Sequence, residues 1–365
     1  MMNFDFLPSR RIALYMARLF LSRSLTVLIM LVLVLMALDL LGESGKILGV
    51  PGNGEPELWR YVSLRVPMLA SRFLPFAILL GTLIALTNLN QNSEVVAMKA
   101  AGMSAHQILA PMILASLLVA AAAFAFNETV VVRATRTAEA WSGADYKPIP
   151  PDRGVLSNVW ARDGEKLVHV DLVVGRGATA RLEGVTIYQR QAGSLQSKID
   201  AALARQRPGG WRLFDVRVYD TEMNMVRKTP TMDTLDGVET TRFTLAKINA
   251  ASEDFQSLDQ AIVDLDRAGR PTAAARSGWW HKISGPFSVV LMPLLAGLAA
   301  FGLARSGHVL LRAAIGMALG FGYFLVDNLS LALGNVGAYP PALAAWAPFL
   351  LFLFIGETVL VRSEE

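Results

Sequence analysis

An α-helical integral membrane protein with six transmembrane helices and an inserted antiparallel β domain is predicted by three features of the chain. Of its 365 residues 53% are hydrophobic and 18% charged, and the mean hydropathy is +0.41, too apolar and too charge-poor for an ordinary soluble domain. Apolar segments able to cross roughly 30 Å of hydrocarbon recur three times in the first part of the chain and three times in the last. Between them the composition changes to scattered charges and short alternating runs, the rhythm of antiparallel strands. The chain has no cysteine, which excludes disulfides and thiolate metal sites. Its formal net charge of +4 is an excess of base that, in a membrane protein, reports topology and anionic lipid rather than nucleic acid.

Taken in order, residues 1–142 form an N-terminal membrane part. A basic lead containing Arg10, Arg11, Arg18 and Arg23 precedes an unbroken apolar run from Leu25 to Leu38. The run outlasts a signal-peptide core and no small-residue cleavage pattern follows, so an uncleaved first span is expected. The second span, about Tyr61 to Leu89, carries Arg65 and Arg72 in its first half and Pro67 and Pro75 as kink points. The third runs from about Ile108 to Phe126, after which Glu128, Arg133, Arg136 and Glu139 continue a helical pattern.

Between spans two and three lies the polar stretch Asn90 to Gln107. Asn92 or Ser93 can act as an N-cap, Glu94 sits where a helix dipole favours an acid, and Gly102 can take the left-handed stop. Ser104 and Gln107 then fit a capping box opening the third span. The punctuation fits a short helix outside the membrane; a solvated loop is the other reading.

Residues 143–250 are predicted as the β domain. Strands are expected at Val155 to Ala161 and Leu167 to Val174, joined by a hairpin with Asp163-Gly164 at its centre. Further strands are expected at Gly184 to Gln189, Trp211 to Tyr219 and Thr240 to Leu245. A linker over 251–281 follows, with a capping box at Ser257 to Gln260 opening a short helix. Residues 282–365 hold three more spans, Ile283 to Leu303, about Leu310 to Leu333 and about Ala342 to Val361. Six spans put both termini on one side. Arg10, Arg11, Arg18, Arg23, Lys99, Arg305 and Arg362 fall there, so it is expected to be cytoplasmic, with the β domain outside.

Catalytic patterns are weak. The four histidines are scattered without i,i+4 pairing, which argues against a metal site. Gly42-Glu43-Ser44-Gly45-Lys46-Ile47 lacks both the leading glycine and the hydroxyl residue of a phosphate loop. Energy for uphill work must then come from another chain. Charges in or near the spans carry more weight, because burying one is costly. Asp327 is either a gate or lipid-path residue, or an acid in an internal hydrogen bond to a residue such as Asn328 or Asn335. Asp39, Lys46, Arg65 and Arg72 fall toward the outer leaflet, as contacts for an anionic amphiphile or as interfacial anchors. Arg133 and Arg136 lie on a juxtamembrane helix, by default a solvated face.

Leu80-Gly81-Thr82-Leu83 and Ser93-Glu94-Val95-Val96-Ala97-Met98-Lys99-Ala100-Ala101-Gly102-Met103-Ser104 resemble the signature of the LptF/LptG permeases of lipopolysaccharide export. The order of three spans, a β domain and three spans is similar to theirs over essentially the whole chain. Gly154 to Leu156, Val159 to Gly164, Phe324 to Asn328 and Tyr339 to Pro341 look more like the LptG type.

The resemblance implies a periplasmic β-jellyroll and a place in the inner membrane of a Gram-negative bacterium. It implies as partners an LptF-like second permease subunit, an LptB-like cytoplasmic ATPase dimer that binds ATP and Mg, an LptC-like single-span jellyroll protein, an LptA-like bridge, and lipopolysaccharide. This chain would then bind no cofactor and catalyse no reaction. Ser93, Glu94, Met98, Ala101 and Gly102 would form the coupling helix, with Glu94 meeting the ATPase. Leu25 to Leu41 and Leu310 to Leu333 would line a lateral gate. One departure stands out: the outer half of the first span has no lysines where the LptG type carries them, and Gly42 and Glu43 occupy those positions. Lys46, Arg65 or Arg72 would have to substitute, or the lipid would carry fewer phosphates. The alternative function is a membrane-anchored ligand-binding or signalling protein without energy coupling.

Overall fold

The structure is a computed structural model, and it describes residues 8–148, 156–175, 180–191, 194–207, 209–222, 224–235, 249–267, 270–302 and 309–364. It divides into two compact units, one of Met1–Leu40, Arg65–Val132 and Asp254–Glu365, the other of Leu41–Leu64 and Arg133–Glu253.

In the first unit, apolar helices pack side by side. They are α1 (Arg10–Leu48), α2 (Glu55–Gln91), the short α3 (Glu94–Ala100), α4 (Ala105–Phe126), α6 (Phe255–Arg267), α7 (Ala273–Gly297), α8 (Val309–Asn335) and α9 (Pro341–Glu364). Among the described residues six helical stretches are long and apolar enough to cross a membrane: α1, α2, Ala105–Gly143, Ala273–Phe301, Ala314–Asn335 and Pro341–Arg362. Among the described residues two π-helical turns interrupt the regular pattern. Asn127–Val131 joins α4 to α5 (Val132–Gly143), and Leu298–Gly302 follows α7. Pro67 and Pro75 lie inside α2 without ending it, as membrane helices allow when neighbours satisfy the freed carbonyls.

The core of this unit is built from Met16 and Phe20 of α1, Ile78, Leu79 and Leu86 of α2, Ile108, Leu109 and Met112 of α4, and Leu291, Leu294 and Leu295 of α7. The α7 span is the most enclosed, with 67% of its most apolar stretch buried, and the α1 span the least, with 11%. Small residues set the closest approaches. A Cβ on Gly81 of α2 would overlap Ser24 Oγ and lie 2.5 Å from Ser24 Cα of α1.

The second unit holds the β domain. Six strands, β1 (Leu156–Asp163), β2 (Lys166–Val174), β3 (Arg181–Gln191), β4 (Ser194–Arg207), β5 (Gly210–Tyr219) and β6 (Met225–Thr234), form one antiparallel sheet in sequence order. Among the described residues the sheet does not close into a barrel, with β1 and β6 as its outermost strands. The predicted hairpin joins β1 to β2 with Asp163 opposite Lys166 and Gly164 at φ 57°. Alternate residues build the buried face: Val159 and Ala161, Val168 and Val170, Val185 and Ile187, Ile199 and Ala201, Trp211 and Leu213.

β4 and β6 were not expected from the sequence. β4 contains Ala201-Ala202-Leu203-Ala204-Arg205, residues that favour helix in isolation, yet Ala201 and Ala204 are buried in the sheet core, where packing overrides propensity. The expected strand at Thr240 to Leu245 and residue Val155 lie outside the described residues.

α5 and the adjoining ends of α1 and α2 complete this unit. Trp141 is fully buried, edge-on to Tyr146 at 5.2 Å, with the Arg60 guanidinium 4.8 Å from its ring centre. Asn53 donates to the carbonyls of Ile47 and Tyr146.

The capping box expected at Ser257 is corrected. α6 begins at Phe255, and Asp254 is its cap, accepting from the Ser257 N–H at 2.8 Å and from the Ser257 hydroxyl at 2.9 Å. Ser257 therefore sits inside the first turn, because a carboxylate at residue 254 reaches the orphan N–H three residues on.

Candidate functional site

The corner between α2 and α4 is closed by hydrogen bonds at both ends. α3 turns out of α2 through Ser93, whose backbone is left-handed at φ 57° and whose side chain makes no cap bond. The expected N-cap is thus absent, since a residue in that conformation directs the chain through a tight turn instead of an extended cap. Asn92 is likewise no cap; its amide donates to Asn88 Oδ1. At the other end Gly102 has φ 84°, its N–H donates to the Lys99 carbonyl and that of Met103 donates to Met98. This is a Schellman stop. The capping box follows as predicted, with Gln107 N–H on Ser104 Oγ and Ser104 N–H on Gln107 Oε1.

α3 presents two faces. Val95 is buried, and Met98 and Met103 pack on the helical core, so of the predicted coupling residues Met98 points inward. Val96 is 61% exposed, and Ala97, Ala100, Ala101 and Gly102 are also exposed. They form a shallow surface without bulky side chains, with Glu94 at its edge. Glu94 Oε1 accepts from the Tyr15 hydroxyl of α1 at 3.2 Å. Lys99 lies 5.3 Å from the Phe301 ring centre. His106, at the start of α4, is 3.2 Å from Glu357 of α9.

Asp39 and Arg65 are brought together as a bidentate pair, Nε to Oδ2 at 2.8 Å and a terminal nitrogen to Oδ1 at 3.0 Å. This planar match compensates both charges. Lys46, in the other unit, pairs with Glu43 at 2.8 Å, and Glu43 also accepts from the Tyr146 hydroxyl. The acid at position 43 thus has structural partners of its own. Arg72 is exposed and has no ion-pair partner among the described residues. Of the four outer residues, Asp39 and Arg65 thus pair with each other, Lys46 pairs with Glu43 and Arg72 is an exposed cation.

Asp327 is 9% exposed, and its Oδ2 lies 3.2 Å from His281 Nε2 of α7. The expected partner Asn328 instead donates to the Phe324 carbonyl one turn back, as a short polar side chain on a helix does. Arg133 is exposed as expected. Arg136 is not: it donates to the Ser252 carbonyl at 3.1 Å and to Glu253 at 3.0 Å, holding the linker.

Sequence reasoning missed Tyr15, His281, Glu357 and the pair Glu128–Lys282. Glu128 accepts from Lys282 Nζ at 2.6 Å and from the Phe255 N–H at 2.7 Å. The available signal was the rule that an acid at membrane depth needs a partner, applied to the titratable residues His281 and Lys282 at the head of the fourth span. Among the described residues no three His, Asp or Glu side chains converge as a metal site would require.

These elements define a polytopic helical protein of the membrane type, with a short exposed helical corner between its second and third apolar helices and a separate antiparallel sheet. The family model for the lipopolysaccharide export system permease LptF/LptG matches residues 14–362, and the chain belongs to that family, whose members are permeases and not catalysts. It is similar to the lipopolysaccharide export system permease protein LptG of Escherichia coli K12, 28% identical over 315 residues, covering 83% of this chain and 85% of the relative. It is also similar to LptG of Haemophilus influenzae Rd, 28% identical over 332 residues, covering 86% and 89%.

Proposed function

We propose that this chain is an LptG-type permease subunit of an ABC-type exporter that extracts lipopolysaccharide from the inner membrane and passes it toward the outer membrane. A cytoplasmic LptB-like ATPase dimer, binding ATP and Mg, powers it. An LptF-like subunit completes the membrane path, and LptC-like and LptA-like β proteins continue it. Both termini and α3 lie in the cytoplasm and the β domain in the periplasm, as the distribution of Arg and Lys supports.

The observation that carries this reading is the α3 corner: a helix locked at its C-terminal end, with an acid and a row of small exposed side chains facing outward. Such a surface fits a groove on a partner. On the outer side, Arg72 and Lys46 are the cations best exposed to an anionic head group.

The test is Glu94→Arg in the full complex. Assembly should survive and lipid release should fall to background, whereas normal export by this variant would overturn the proposal. Mass spectrometry of the intact detergent complex should find an ATPase dimer and a second six-span subunit. A chain isolated alone would favour ligand sensing without energy coupling.

A further inference from the structure

We infer that Tyr15 is the positioning residue through which the α3 corner moves α1, and that α1 works as a lever about its crossing with α2 at Ser24 and Gly81. The inference rests on the proposed function, because it assigns the route by which force applied at α3 reaches the lipid path.

α1 is held at three heights within its unit. Near its start, the Tyr15 hydroxyl donates to Glu94 Oε1 of α3, and Met16 and Phe20 are fully buried. At Ser24 the helix meets Gly81 so closely that a single added carbon on Gly81 would overlap Ser24 backbone atoms. Toward its end, Asp39 grips Arg65 of α2. Between these points its outer half offers a long apolar face, with Ile29, Met30, Leu33, Val34 and Leu38 each more than half exposed. A face of this kind slides in lipid without breaking polar contacts.

The geometry sets the gain. At about 1.5 Å per residue, Tyr15 lies about 14 Å on one side of Ser24 and Asp39 about 22 Å on the other. A rigid helix pivoting at Ser24 therefore converts about 1 Å of motion at Glu94 into about 1.7 Å at Asp39, a displacement the long Arg65 side chain must follow for the bidentate pair to hold. A carboxylate has acceptor sites on both oxygens. Glu94 Oε1 holds Tyr15 while Oε2, which has no partner among the described residues, stays available to a cation on the docking protein. One side chain can thus join the force-giver to the lever.

The test uses the full exporter in liposomes, with spin labels at Leu38 on α1 and Leu329 on α8, both exposed. The wild type should show a change in label separation between nucleotide-free and vanadate-trapped states. Tyr15→Phe keeps the ring and removes the donor; it should lose more than half of that change and release several-fold less lipid per ATP hydrolysed, at unchanged ATPase rate. Tyr15→Arg, which reaches as far and donates to the same carboxylate, should restore both. A purely structural role for the ring would not be rescued by arginine. Full label movement and full lipid yield in Tyr15→Phe, or failure of Tyr15→Arg to restore them, overturns the inference alone. A wild-type complex that hydrolyses ATP without releasing lipid overturns the functional reading and the inference with it.

Discussion

Lys282→Met should be among the most destabilising substitutions in the chain outside the apolar core. The side chains of Lys282 and Glu128 are only 9% and 16% exposed and meet at 2.6 Å, and the same carboxylate accepts the Phe255 N–H at the first turn of α6. Removing the ammonium strands a nearly buried carboxylate with one neutral donor. Breaking a buried pair from one side costs about 3–5 kcal/mol. The residual exposure and the retained N–H bond place this case near the lower end, at about 3 kcal/mol. Glu128→Gln keeps one acceptor oxygen where two different oxygens accept from Lys282 and Phe255, so one donor is left facing the amide NH2 and about 2 kcal/mol is expected. The double variant removes both charges and should cost less than the sum of the two, leaving a coupling energy of about 2 kcal/mol or more. Equilibrium unfolding of the four proteins in mixed micelles, followed by tryptophan fluorescence, measures the cycle. A cost below about 1 kcal/mol for Lys282→Met, or strict additivity in the double variant, would refute the reasoning and show that water reaches the pair.

Two further outcomes follow from local geometry. Gly81→Ala places a methyl group on Ser24 backbone atoms that cannot yield without moving a helix, so it should cost about 1–3 kcal/mol; Ser24→Ala, which removes a buried hydroxyl with no hydrogen bond among the described residues, should be nearly neutral in the same unfolding assay. In the β domain, the Arg212 guanidinium donates to both oxygens of Asp233 and, with Arg207 adding charge, holds its carboxyl below the ordinary 3.8. A lowered folded-state value means that the pair's contribution is present above pH 3.8 and is lost as pH falls through the lower value. Acid unfolding read from the buried Trp211 should accordingly be less steep below that pH in Asp233→Asn, with no change in slope at neutral pH.

The sequence carried those parts of the fold that are decided locally. Unbroken apolar runs specify the spans because no other arrangement satisfies the backbone in hydrocarbon. Gly102 and the Ser104–Gln107 pair specify the corner because each is a short-range bond with a fixed spacing. Ser93 misled because serine's capping preference holds only where the backbone is extended, and the turn from α2 into α3 is too tight for that. β4 was illegible because alanine takes its strand character from neighbours in the sheet. The pairings Asp39–Arg65, Tyr15–Glu94, His281–Asp327 and Glu128–Lys282 join residues from 26 to 154 positions apart, and no periodicity within one helix reports its partner on another. The topology and the corner could therefore be read from the chain, while the polar ties that give the helices their relative play could not.

The closed C-terminal end of α3 has a consequence for recognition. Fixing a backbone costs about 1–2 kcal/mol per residue, so ordering the segment from Glu94 to Gly102 on contact would consume on the order of 10 kcal/mol of whatever interaction it makes. The Schellman stop and the capping box have already met part of that cost during folding. On the proposed function, a small surface centred on Val96 and Ala100 would then need only a modest contact area, and the amides of Gly102, Met103 and Gln107 should resist hydrogen exchange in the chain without its partner.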